Sequence, residues 1–251
     1  MYHNKTMKAM NKKTVLIVTP PLTSPAIPSF TGAFAAGYFL REAINAVIYD
    51  ANLEFFVEHL FSTDFFKSES FYDPEKYLLA RNQIDDLLLL YSAAFYSSRI
   101  RWSFLPGSVI DESQNPFFIS FCHEKLDLLL KQVLPKVVIL ALDSETQVSG
   151  ANTIIHYIKR IFPEIQTVVL QNKNHGGNNT PAADHRFSLQ NPSLFLKWIN
   201  TTWKRKNQDT HVEPDFSMFP LKEYLTPELI LPLQTGLFKD IFSFRLKFNR
   251  C

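Results

Sequence analysis

Val15-Leu16-Ile17-Val18 is a short unbroken apolar run closed by Thr19 and the pair Pro20-Pro21, the pattern of a strand buried on both faces of a parallel sheet. Thr14 to Thr19 is therefore read as the first strand. Ser29 to Glu42 follows, rich in small residues, with Phe30, Phe34, Tyr38 and Leu40 near one side at helical spacing. It predicts the first crossover helix. Ala46 to Tyr49 then predicts a second strand ending at Asp50, and strand, helix, strand in so few residues implies a right-handed βαβ unit.

The pattern turns helical between Leu53 and Leu134. Asp73-Pro74 reads as a helix start ahead of Leu78, Leu79, Ile84, Leu87, Leu88 and Tyr91, and Asn115-Pro116 as a second ahead of Phe121, Leu126, Leu129, Leu130 and Val133. Pro106-Gly107 marks a loop between them. Lys136 to Leu142 restores the buried-strand pattern. Gln147 to Ile161 is helical through Val148, Ile154, Ile155, Ile158 and Ile161, and Thr167 to Leu170 is a fourth strand. Gln171 to Asp184 reads as loop, Arg186 to Leu189 as a short fifth strand, and Pro192 to Lys206 as a last helix with Phe195, Trp198 and Ile199 inward. The fold class is α/β: a Rossmann-like, flavodoxin-like doubly wound parallel sheet of about five strands, with a helical insert between strands 2 and 3. The divisions are an N-terminal tail (1–13), this domain (14–206, insert about 53–134), a linker (207–235) and a tail (236–251).

Composition narrows the function classes. In 251 residues, 26 basic and 24 acidic side chains leave a net charge of +2, which gives no general field for nucleic acid or an anionic membrane. The longest apolar runs fall short of the roughly 18 residues a bilayer span requires. Lys5, Lys8, Lys12 and Lys13 precede an apolar run too short for a signal peptide. With two cysteines far apart, Cys122 and Cys251, the expected setting is reducing and cytoplasmic.

Ligands of an open parallel sheet bind outside the carboxyl ends of the strands. The loops there hold the candidate site residues: Pro20, Pro21, Leu22 and Thr23; Asp50 and Asn52; Asp143, Ser144 and Glu145; and Gly176 and Gly177. Ser144 also suits the cap of the following helix. Neither G-x-G-x-x-G nor G-x-x-x-x-G-K-[ST] occurs, so nicotinamide, flavin and nucleoside triphosphate readings fall away. H-E-x-x-H, clustered metal-ligand spacing and G-x-S-x-G are likewise missing. No catalytic residue and no metal ligand is assigned.

Two stretches resemble the N-terminal cobalamin-binding domain of radical S-adenosylmethionine proteins. They are VLIVTPPLTSPAIPSFTGAFAAGYFLRE with YDANLEFF behind it, and DFSMFPLKEYLTPELILPLQT, so the resemblance covers Val15 to Thr235. It implies a Rossmann-like domain holding cobalamin against an iron–sulfur cluster and S-adenosylmethionine in a following domain. On it, Pro20, Pro21 and Leu22 match the first cofactor-edge loop, Ser144 the third-strand loop, and Gly176-Gly177 the fourth-strand loop. The D-x-H-x-x-G signature of histidine ligation is absent, and QNKNHGGNN is longer and more polar than the family's turn. Where the family continues into C-x-x-x-C-x-x-C, this chain has GLFKDIFSFRLKFNRC, whose single cysteine cannot hold the cluster.

The expectation is thus a corrinoid-binding module of a truncated or split radical enzyme, not catalytic alone. One alternative is a component delivering the corrinoid to a separate radical S-adenosylmethionine barrel chain. Another is an interaction domain without ligand that presents Phe238, Phe242, Phe244 and Phe248.

Overall fold

The computed structural model describes residues 14–21, 23, 27–55, 122–172, 182–205, 211–221 and 224. Five parallel strands form one sheet in the order β2-β1-β3-β4-β5: β1 Val15–Thr19, β2 Ala46–Asp50, β3 Val137–Leu142, β4 Gln166–Gln171 and β5 His185–Ser188. This is the doubly wound α/β fold read from the sequence, with the flavodoxin-like strand order. Register runs Thr19 to Asp50 across β1 and β2, and Val18 to Leu140 across β1 and β3. The central strands β1 and β3 are buried throughout, which is why their sequences run apolar without alternation.

The helices divide between the two faces. Alternate residues Val15 and Ile17 of β1, and Val137, Ile139 and Ala141 of β3, pack under α1 (Phe30–Arg41) and α5 (Pro192–Trp203). Leu16, Val18, Val138, Leu140 and Leu142 face the other way, under α3 (Asp127–Val133, entered through a π-helical turn at Cys122–Leu126) and α4 (Val148–Ile161). A short α2, Ala51–Phe55, follows β2 directly. The helical insert expected between β2 and β3 is therefore seen at both ends, and residues 56–121 lie outside the described residues.

The packing side of α1 follows expectation at Tyr38, which is buried, and at Phe34, which packs against the core, but departs from it at Leu40. Thr31, Gly32, Ala33, Ala35, Ala36, Tyr38 and Phe39 are buried, whereas Leu40 is 59% exposed. Small side chains let the helix backbone approach its neighbours closely, so closeness rather than bulk selects the buried side. One of those neighbours is the segment 211–221, expected as part of a polar linker. Its Asp215 N–H donates to the Ala33 carbonyl at 2.9 Å, and Phe219, 5% exposed, sits on Gly32.

Candidate functional site at the carboxyl edge of the sheet

Strand order reverses between β1 and β3. The chain leaving β1 enters α1 on one face, and the chain leaving β3 enters α4 on the other, so a crevice opens between the two loops. Its lining follows from the residues at the strand ends.

Pro20 and Pro21 have no amide hydrogen to donate, and their carbonyls are both engaged by the β3 side. The Gln147 side chain, fully buried, donates from Nε2 to the Pro20 carbonyl at 2.7 Å. Its Oε1 accepts from the amides of Asp143 (2.8 Å) and Ser144 (3.0 Å). Ser144 caps the turn Glu145–Gln147, its Oγ accepting from the Thr146 amide at 3.3 Å. This is a capping box, Ser-x-x-Gln, whose glutamine also bridges the crevice. The Pro21 carbonyl lies directly against Gly150 in the first turn of α4, in space that a Cβ would fill.

Asp143 crosses the crevice in the opposite direction. Its carboxylate accepts from Ser29 Oγ (2.6 Å), Thr31 Oγ1 (2.6 Å) and the Thr31 amide (2.9 Å), while Ser29 Oγ accepts from the Gly32 amide at 2.9 Å. A carboxylate at the first turn of α1 is also favoured by the helix dipole. Burial raises its pKa, opposed by those Ser29 and Thr31 bonds.

Asp50, 8% exposed, ends β2 and accepts from the Leu53 amide (2.9 Å) and from the Tyr224 hydroxyl. Burial pushes it up to about 6, with the Tyr224 and Leu53 bonds pulling down and the nearby Asp143 adding to the rise. Asn52, 1% exposed, accepts from the Thr23 amide at 2.8 Å and so ties the double-proline loop to α2. Two hydroxyl oxygens here are buried and find no hydrogen-bond partner among the described residues: Thr19 Oγ1 at the end of β1 and Ser149 Oγ at the start of α4.

The structure thus gathers Pro20, Pro21, Thr23, Asp50, Asn52, Asp143 and Ser144 at one edge. Glu145 is exposed on the turn that Ser144 caps, and Leu22, Gly176 and Gly177 lie outside the described residues. Asp50, Asn52 and Asp143 are engaged within the protein. Residues that sequence reasoning left out of the site are Gln147, Ser29, Thr31, Gly150 and Tyr224. The spacing Ser144-x-x-Gln147 carried a signal for the first of these, and Ser29 is the N-cap of α1. For Tyr224 there was none, because its partner lies 174 residues away.

Among the described residues no group of three His, Cys, Asp or Glu side chains is placed to hold a metal ion, and no helix is long and apolar enough to cross a membrane. No family model, curated protein or solved structure matches the chain.

Proposed function

We propose that the domain is a cobalamin-binding module, holding the corrinoid over the β1/β3 crevice for chemistry performed by another domain or chain. The observation that carries this reading is that the strand-end carboxylates Asp50 and Asp143 are engaged within the protein and not presented at the edge, where Glu145 on the Ser144 turn is the exposed acid. Asp50 and Asp143 follow the pleat of Ile48 and Ala141 toward the α1 side, where hydrogen-bond donors meet them. What the crevice offers instead is the Pro20-Pro21 pair, which has no amide hydrogens, and the Ser144 turn. A large ring rimmed by neutral amides suits such an edge, because it brings its own donors and acceptors and no net charge to neutralise. The same residues would hold it: Pro20 and Pro21 along one side and Ser144 on the other.

A nucleotide suits it less. Phosphates seek amides at a helix N-terminus, and at α1 that position already holds the Asp143 carboxylate.

Bound cobalamin would supply alkyl-transfer or radical chemistry to whatever partner faces it, and the partner class that the sequence resemblance implies is a radical S-adenosylmethionine barrel bearing the iron–sulfur cluster. The test is titration of the purified chain with hydroxocobalamin, followed by the visible spectrum and by retention on a cobalamin resin. Saturable spectral change with retention is expected, and the absence of both would overturn the proposal.

A further inference from the structure

The segment 211–221 with Tyr224 behaves as a strap rather than a linker. It begins near the C-terminal end of α1, where the Arg41 guanidinium donates to the His211 carbonyl. One turn nearer the helix start, the Glu213 carbonyl occupies the space that a Cβ of Gly37 would need. The Asp215 amide then bonds the Ala33 carbonyl, and Phe219 covers Gly32. The strap therefore runs antiparallel to α1, from the amino edge of the sheet to its carboxyl edge. Val212 and Met218 pack into the same apolar core.

Tyr224 lies beyond it, with its hydroxyl on Asp50. From there a series of bonds leads to the ligand edge. Asp50 Oδ1 accepts from the Leu53 amide in α2, and the adjacent Asn52 accepts from the Thr23 amide in the double-proline loop. The middle of this series is buried, Asn52 and Leu53 being 1% and 3% exposed, while Thr23 and Tyr224 at its ends are half-buried.

We infer that the strap is a positioning device for the carboxyl edge, in which Tyr224, acting through Asp50 and α2, fixes the double-proline loop, so that displacement of the chain after Phe219 is transmitted to the crevice. The inference deepens the corrinoid-binding proposal by giving its edge a control element. It does not need the ligand for its test, so the two fail separately. A partner domain joined after the strap would adjust the crevice by pulling on Tyr224. The titratable groups that face Asp50 among the described residues are Tyr224 from the strap and Asp143 from the end of β3.

The test is amide exchange followed by NMR on the ligand-free chain, comparing the native sequence with Tyr224→Phe. Loss of a bond to a buried carboxylate is expected to speed exchange about tenfold at Leu53 and Thr23 while leaving Ile139 in β3 unchanged. The carboxyl titration of Asp50, read by carbon NMR, is expected to move above its value of about 6, since the bond that pulls it down is gone. Asp50→Asn keeps an acceptor for Leu53 and is expected to keep Thr23 slow. Phe219→Ala, which removes the strap's contact with Gly32, serves should Tyr224→Phe not fold, and is expected to speed the same two amides. Thr23 exchange unchanged by these strap variants, or acceleration equal at Ile139, would overturn the inference.

Discussion

Gly150→Ala adds one methyl group where the double-proline loop meets α4. A Cβ at this position would lie closer than 3.0 Å to the Pro21 carbonyl oxygen, a separation that real Cβ atoms essentially never show, and 3.1 Å from Pro21 Cδ. The obstacle is backbone, and it has little room to retreat. Proline fixes its own φ, and the preceding carbonyl is held at 2.7 Å by Gln147 Nε2. Relief requires either a shift of α4 or release of the Pro20–Gln147 bond, which leaves a buried amide without its partner. Overpacking costs about 1–3 kcal/mol, and an orphaned buried amide about the same. Against this, alanine in a helix gains about 0.5–1 kcal/mol over glycine. A net loss of about 1 kcal/mol is expected, or about 2–4 °C in Tm for a chain of this size. Calorimetry, with urea denaturation to check that the m-value is unchanged, measures it. A Tm equal to or above that of the native chain would refute the packing of loop on helix and the crevice geometry built on it.

Asp143→Ala strips the shared acceptor from Ser29 Oγ, Thr31 Oγ1 and the Thr31 amide, and is expected to cost about 2–4 kcal/mol by urea denaturation. A loss under about 0.5 kcal/mol would remove the carboxylate's role as tether between β3 and α1. Stability should also carry the mark of Asp50, whose carboxyl titrates near 6 folded against 3.8 as its ordinary value. Its contribution is fully present below pH 3.8 and is lost as pH rises through about 6, because burial disfavours the ionised form. Asp50→Asn is thus expected to gain up to about 3 kcal/mol relative to the native chain between pH 4 and pH 8, and a pH-independent difference would contradict that. Cys122, buried and pushed up to about 12 by desolvation, should resist a thiol reagent at pH 8 until the protein unfolds. Rapid native-state labelling at that residue would place it at the surface.

The strands were legible because buried parallel strands declare themselves: VLIV and VVILAL have no polar position to misread. Helix α1 was located, and of Phe30, Phe34, Tyr38 and Leu40 the structure buries Tyr38 and packs Phe34 on the core but leaves Leu40 exposed, because Gly32 and Gly37 admit the strap along a neighbouring side. Position along the chain identified Asp50 and Asp143 as edge residues. Their partners were hidden by sequence distance, 114 residues separating Ser29 from Asp143, and no local pattern tells a carboxylate that meets a ligand from one that meets a helix N-terminus. The strap was invisible for a related reason. It docks through the Asp215 amide and the Glu213 carbonyl, groups every residue possesses, and through Val212, Met218 and Phe219, whose spacing does not say that α1 is what they pack against.

The account rests on the carboxyl edge being a corrinoid-binding surface. Hydrogen exchange of the intact chain with and without saturating hydroxocobalamin tests it most directly. Protection is expected in peptides spanning the end of β1 with the double-proline loop and in those spanning 143–150, with the amino edge at 44–46 and 134–137 unchanged. Protection confined to the amino edge, or none at either edge, would contradict it.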